Sequence, residues 1–109
     1  MATHHAKPNQ IVDLRTWAQD IPTEKSKVIL KTKDMELARL VIPAGSTFKE
    51  HHVSGPITVH CINGNFSFTA MGHTQTLNPG QLVYLEAGIP HSLKAISDSV
   101  VLLTIVFTP

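Results

Sequence analysis

Three features of this sequence predict an all-β domain, built as a closed barrel or as two packed antiparallel sheets. Short β-prone runs rich in Val, Ile, Leu, Phe and Thr recur along most of the chain. Turn signals carrying Gly, Pro or Asn separate them about every eight to twelve residues. No stretch repeats its apolar residues with the 3.6-residue period of an amphipathic helix. The 109 residues fit one domain, residues 1–109, and an apolar content of 42% can fill one core.

Residues 1–9 read as a flexible polar arm, with His4 and His5 as solvated side chains. Ile11, Val12 and Leu14 offer a first short strand. Trp17 and Ile21 then offer a lid or an edge contact ahead of Pro22, and Thr23 to Lys27 is polar and exposed. The barrel core spans about residues 28–107. Val28–Thr32 and Met35–Ile42 are β-prone runs joined by Lys33-Asp34. In the second run Glu36, Ala38, Leu40 and Ile42 make the better core face, with Leu37, Arg39 and Val41 on the other. Pro43-Ala44-Gly45 ends it, because proline offers no ladder donor and glycine permits the turn.

Phe48–Val53 is the next short run, and Ser54-Gly55-Pro56 turns the chain into Ile57–Ile62. Asn63-Gly64 is the strongest hairpin signal, suited to a type I′ turn with positive φ at both central residues. Phe66, Phe68 and Ala70 then alternate with Ser67 and Thr69, as in a half-buried strand. Gly72 turns into the polar, edge-like run His73–Leu77, and Asn78-Pro79-Gly80 turns into Leu82–Leu85. Ala87–Pro90 is a loop, His91–Ile96 a strand, Ser97-Asp98 a turn, and Val100–Phe107 the last strand. Phe48, Phe66, Phe68 and Phe107 read as core.

Charge and composition remove several function classes. Nine basic against eight acidic residues leave a net charge of +1 with no basic run, so neither nucleic acid nor an anionic membrane is an expected partner. The longest apolar run, Val100–Leu103, is far short of a membrane span. The opening MATHHAKPNQ shows no apolar signal-peptide core. The single cysteine, Cys61, reads as a small buried hydrophobe with no intrachain disulfide partner. A cytoplasmic setting is the expectation.

Chemistry concentrates between Gly45 and His91. Each half of this stretch delivers one histidine beyond a glycine turn: His51 follows Gly45 by six positions, and His91 follows Gly80 by eleven. On these residues the chain resembles the cupin superfamily, over about Val41 to Phe107. The first cupin motif reads glycine, five residues, His-x-His, a spacer, glutamate, six residues, glycine; Gly45, His51 and Gly64 match it. The second reads glycine, five residues, proline, one residue, glycine, two residues, histidine; Gly80, Gly88 and His91 match it. The resemblance implies an RmlC-like cupin jelly-roll β-barrel of two packed antiparallel sheets. It also implies that three histidines and the glutamate close around one divalent ion.

The departures matter as much. Val53 stands at the second histidine, Ile57 at the glutamate, Glu86 at the motif-two proline and Ala95 at its trailing asparagine. Valine and isoleucine have no lone pair to donate, and protein zinc sites keep at least three protein ligands. His51 and His91 therefore form a partial, degenerate metal site unless another donor joins them. Two histidines are candidates to join them, His60 ahead of His52. Counting back from Gly64 turns Ile57, Val59 and Cys61 inward and His60 outward, but a one-residue bulge near Gly55-Pro56 reverses that parity. With His60 inward, three imidazoles suit Zn, Fe, Mn or Ni. His52 points away from His51 by strand parity, and His73 lies on a polar edge. Tyr84 shares a face with Leu82 and Glu86, and either packs in the core or offers its hydroxyl to the cavity.

The expected function is a small single-domain cupin that binds a small molecule in its barrel through His51, His91, His60 and Tyr84. Two enzyme readings stand beside it. One is a metal-dependent dioxygenase, isomerase or lyase. The other is a metal-free epimerase or isomerase with a histidine base and Tyr84 as acid, for which Glu50 and Glu86 are near in sequence only. A homodimer is expected, because open sheets leave edges and an apolar face to cover, with Trp17 and the N-terminal strand as an exchange element.

Overall fold

The structure, a computed structural model, describes residues 5–14 and 26–107. Its described residues form nine strands: β1 (Lys27–Lys31), β2 (Met35–Ile42), β3 (Thr47–His51), β4 (Ile57–Asn63), β5 (Phe66–Ala70), β6 (His73–Leu77), β7 (Leu82–Leu85), β8 (His91–Ala95) and β9 (Ser99–Val106). They make two antiparallel sheets, a five-stranded one in the order β1-β2-β9-β4-β7 and a four-stranded one in the order β3-β8-β5-β6. This is the two-sheet all-β domain that the alternating runs predict and the jelly roll that the resemblance implies. Among the described residues no helix is long and apolar enough to cross a membrane.

The core lies between the two sheets because each strand sends alternate side chains to one face. Ile57, Val59 and Cys61 of β4 are buried at 3%, 3% and 0% exposure, with Thr58, His60 and Ile62 less so. Phe66 and Phe68 of β5 and Leu93 and Ala95 of β8 meet them from the other sheet. Burying one such side chain contributes about 1.5–3 kcal/mol, so this layer dominates folding. Ala38 and Ile42 are buried as their face of β2 requires, but Arg39 and Val41 on its other face are buried too. Both faces of that strand are covered, where the sequence offered one as the core.

Two local expectations are corrected. Asn63-Gly64 does not close a β-hairpin. Both edges of β4 are taken, one by β7 and the other by β9, so β5 cannot pair with it and crosses to the second sheet. Gly64 takes φ +77 in that crossing, where a Cβ would strike the Asp98 carbonyl. The two-residue positive-φ turn is instead Met71-Gly72, at φ 54 and 73, joining β5 to β6 with Ala70 opposite His73. Both central residues there meet the type I′ requirement.

The second correction concerns Ile11, Val12 and Leu14, which form no strand; Ile11 is 91% exposed. Asn9 turns the chain with φ 69, and the Gln10 N–H donates to the Lys7 carbonyl. The Ala6 N–H donates to the Ile29 carbonyl, which lays this segment along β1. Trp17 and Ile21, the expected lid or edge contact, lie outside the described residues, as do Pro22 to Lys25.

Candidate functional site

An irregularity in β3 aims the first histidine. Phe48 pairs with Leu93 and His51 with His91, so three steps along β3 oppose two along β8. Strict alternation would put Phe48 and His51 on opposite faces. The extra residue is a β-bulge that returns His51 to the inner face. His91 needs no such device. It opens β8 and shares its inward parity with the buried Leu93 and Ala95.

The rings of His51 and His91 stand with centroids 4.4 Å apart and planes tilted by 58°. His51 Nδ1 lies 3.0 Å from the Lys49 carbonyl oxygen, and His91 Nδ1 lies 3.0 Å from that of Ile89. A carbonyl only accepts, so each Nδ1 carries a proton, and in the neutral ring Nε2 is then the nitrogen with the lone pair. Fixing one ring nitrogen in this way is how a histidine is oriented to act through the other. Phe68 stacks on His91 at 5.7 Å and 22°. His91 is buried, at 5% exposure, whereas His51 is exposed at the mouth. Burial is the main cause that pushes the His91 pKa below its ordinary value. Its hydrogen bond to Ile89 opposes that shift, and the nearby His51 and His52 add to it.

Behind the pair lies a cavity of about 130 Å³, lined by His51, His91, Leu40, Phe48, Val59, Leu93 and Leu103. The five apolar walls come from both sheets, and the imidazoles are the polar groups. Sequence reasoning singled out the histidines and turned Leu40, Phe48 and Val59 inward as core, without assigning them or Leu93 and Leu103 to a cavity wall. Parity alone reaches Leu40 and Val59, and the pairing of Ala38 and Val59 with Leu103 brings β9 to the same cavity. A larger groove of about 490 Å³ runs between residues 5–14 and β1, and contains none of the predicted site residues.

His60 and Tyr84 do not join the cavity. No bulge follows Gly55-Pro56; the irregularity of β4 falls between Cys61 and Asn63, after His60. His60 therefore keeps its outward parity, paired with Leu82 and Leu102. Tyr84 is 61% exposed because Val83 and Leu85 take the inward positions of β7, opposite Val59 and Ile57. Both residues sit on the outer face of the five-stranded sheet. His52 and His73 are exposed. Cys61 is fully buried beside the Gly64 carbonyl, and burial pushes its thiol pKa up.

The donor set fits a resident metal ion only in part. Two oriented Nε2 atoms could serve as ligands, but Val53 packs against the core and Ile57 lies within it. Among the described residues no group of three or more His, Cys, Asp or Glu side chains is placed to hold an ion.

Residues 38–107 match the family model described as Cupin domain. The fold is similar to that of a conserved protein of unknown function from Streptococcus pyogenes, at 22% identity and TM-score 0.81, covering 100% of this chain and 97% of that one. It is similar to a cupin superfamily protein from Desulfitobacterium hafniense at 12% identity and TM-score 0.81, covering 99% and 100% of the two chains. KdgF from Halomonas sp. is similar at 19% identity and TM-score 0.70, covering 77% of this chain and 78% of that one. None of the curated proteins matches the sequence.

Proposed function

The chain belongs to the cupin superfamily, and on that premise we propose that it binds a small molecule in its barrel cavity, with His51 and His91 as the polar end of the site. One observation carries this reading: two imidazoles, each tied through Nδ1 to a backbone carbonyl, border an apolar cavity of about 130 Å³. A few fixed polar groups in an apolar concavity are what a small-molecule site requires.

The same pair is the remnant of a divalent-metal site. Zn, Fe, Mn or Ni would find two nitrogen ligands here, fewer than a retained ion needs. A bound ion would be held weakly and lost on dialysis. The metal-enzyme reading lacks a third donor among the described residues, and the epimerase reading lacks its acid, since Tyr84 is on the outer face. Homodimer formation belongs to the proposal and is supported by Leu82 and Tyr84, 55% and 61% exposed on the edge strand β7. A cytoplasmic setting does too, supported by the lone buried Cys61 thiol.

The test is metal content of untagged, chelator-free protein by mass spectrometry, beside His51→Ala and His91→Ala. A small-molecule panel is then titrated while amide shifts are followed. Substoichiometric metal, with ligand shifts centred on Leu40, Val59 and Leu103, is the expected result. Near-stoichiometric metal lost in both variants would establish a working metal centre instead.

A further inference from the structure

We infer that the cavity selects a small, uncharged, ring-sized molecule that donates a hydrogen bond, of which phenol is the simplest, and rejects anions and sugars. This rests on the reading of the cavity as a ligand site and adds the class of ligand. Size sets the first limit. A volume of about 130 Å³ is close to the roughly 150 Å³ apolar cavity that accommodates benzene in another protein. It cannot enclose a nucleotide or a disaccharide.

The walls set the second limit. Leu40, Phe48, Val59, Leu93 and Leu103 offer no side-chain hydrogen bond, and among the described residues no Lys or Arg lines the cavity. A carboxylate or phosphate would be buried there without a countercharge. A sugar would bury several hydroxyls against hydrocarbon, and each one left unpaired costs roughly tenfold in affinity.

The histidines set the third. Both Nδ1–H groups are already donated to the Lys49 and Ile89 carbonyls, so Nε2 is the nitrogen each ring has left to offer, an acceptor with nothing to donate in the neutral form. His51 stands at the mouth, where water can satisfy it. His91 lines the cavity and is 5% exposed as a residue, so a ligand that fills the cavity displaces water from its Nε2 and must itself supply the donor that replaces it. A ligand O–H or N–H supplies that donor, whereas an ester or ketone would set one acceptor against another.

Chelator-treated full-length protein is titrated with phenol, toluene, benzoate and glucose, following amide shifts and the His91 Nε2 resonance. Phenol is expected to perturb Leu93, Leu103 and His91 Nε2 and to bind about tenfold more tightly than toluene, the advantage of one buried hydrogen bond. Benzoate and glucose leave the spectrum unchanged. Leu103→Trp, which fills the cavity and spares the histidines, abolishes the phenol response. Its amide dispersion reports whether it folds, and the wild-type Nε2 resonance reads the bond independently of any variant. Equal affinity for phenol and toluene, or tighter binding of benzoate or glucose, overturns the ligand class and leaves the cavity standing as a site. No response to any of the four overturns the cavity reading itself.

Discussion

His51 and His91 face one another across one rung of the β3–β8 ladder, and each ring hydrogen-bonds through Nδ1 to the carbonyl two residues before it. The two strands thus hold their histidines by the same local device, although one strand needs a bulge to do so. That arrangement pre-orients both Nε2 atoms before any ligand arrives.

Restoring a third donor should restore metal affinity. Val53 stands where the cupin motif has its second histidine and packs against the core. Val53→His is expected to raise zinc affinity at least about tenfold, since it completes a three-histidine set of the kind that zinc sites use. Competition with a chromophoric chelator measures it. An unchanged affinity would mean that the residue 53 side chain does not reach the pair.

Stability should fall in mild acid, and His91 should carry part of the fall. Its folded pKa lies below the ordinary value because burial disfavours the charged ring. Between that lowered value and the unfolded value near 6.5, the unfolded chain binds more protons, so stability rises with pH across the window. It is fully present above about 6.5 and is lost as pH drops toward the folded value. Urea midpoints from pH 8 to pH 5 should show a smaller slope in His91→Gln than in wild type. Parallel slopes would remove His91 from the effect.

Two glycines should differ sharply on substitution by alanine. A Cβ on Gly55 would collide with the Val106 carbonyl, which is backbone and cannot step aside, whereas Gly72 has open space around it. Gly72→Ala carries only the left-handed backbone cost of about 1–2 kcal/mol at φ 73. Gly55→Ala should cost more than that, with a correspondingly lower thermal midpoint. Equal costs would mean that the end of β9 yields easily.

Self-association should respond to the outer face of β7. Wild type is expected to sediment as a dimer at micromolar concentration, and Leu82→Lys with Tyr84→Lys to shift it to monomer without loss of fold. A charged edge strand resists pairing with another sheet. A dimer unmoved by both lysines would place the contact elsewhere.

The strands from β1 to β9 were legible because their signals are local. Pro43-Ala44-Gly45, Ser54-Gly55-Pro56 and Asn78-Pro79-Gly80 break the chain wherever it is embedded, and the alternation of Phe66, Phe68 and Ala70 needs only its own strand. The motif spacing around Gly45 and Gly80 likewise picked out His51 and His91 as a pair.

The all-β class, the succession of strands along the chain and the choice of His51 and His91 as a pair can all be read from the residues alone. Tertiary structure decided how strands pair and which way each side chain turns. Asn63-Gly64 reads locally as a hairpin and becomes a crossing because β7 and β9 already hold both edges of β4. A bulge turns His51 inward beside His91, while the absence of one after Pro56 leaves His60 outside. Tyr84 faces out because Val83 and Leu85 answer Val59 and Ile57 across the ladder. Turn propensity acts over a few residues, but register and bulges are fixed by partners distant in sequence, and one residue of shift reverses every face.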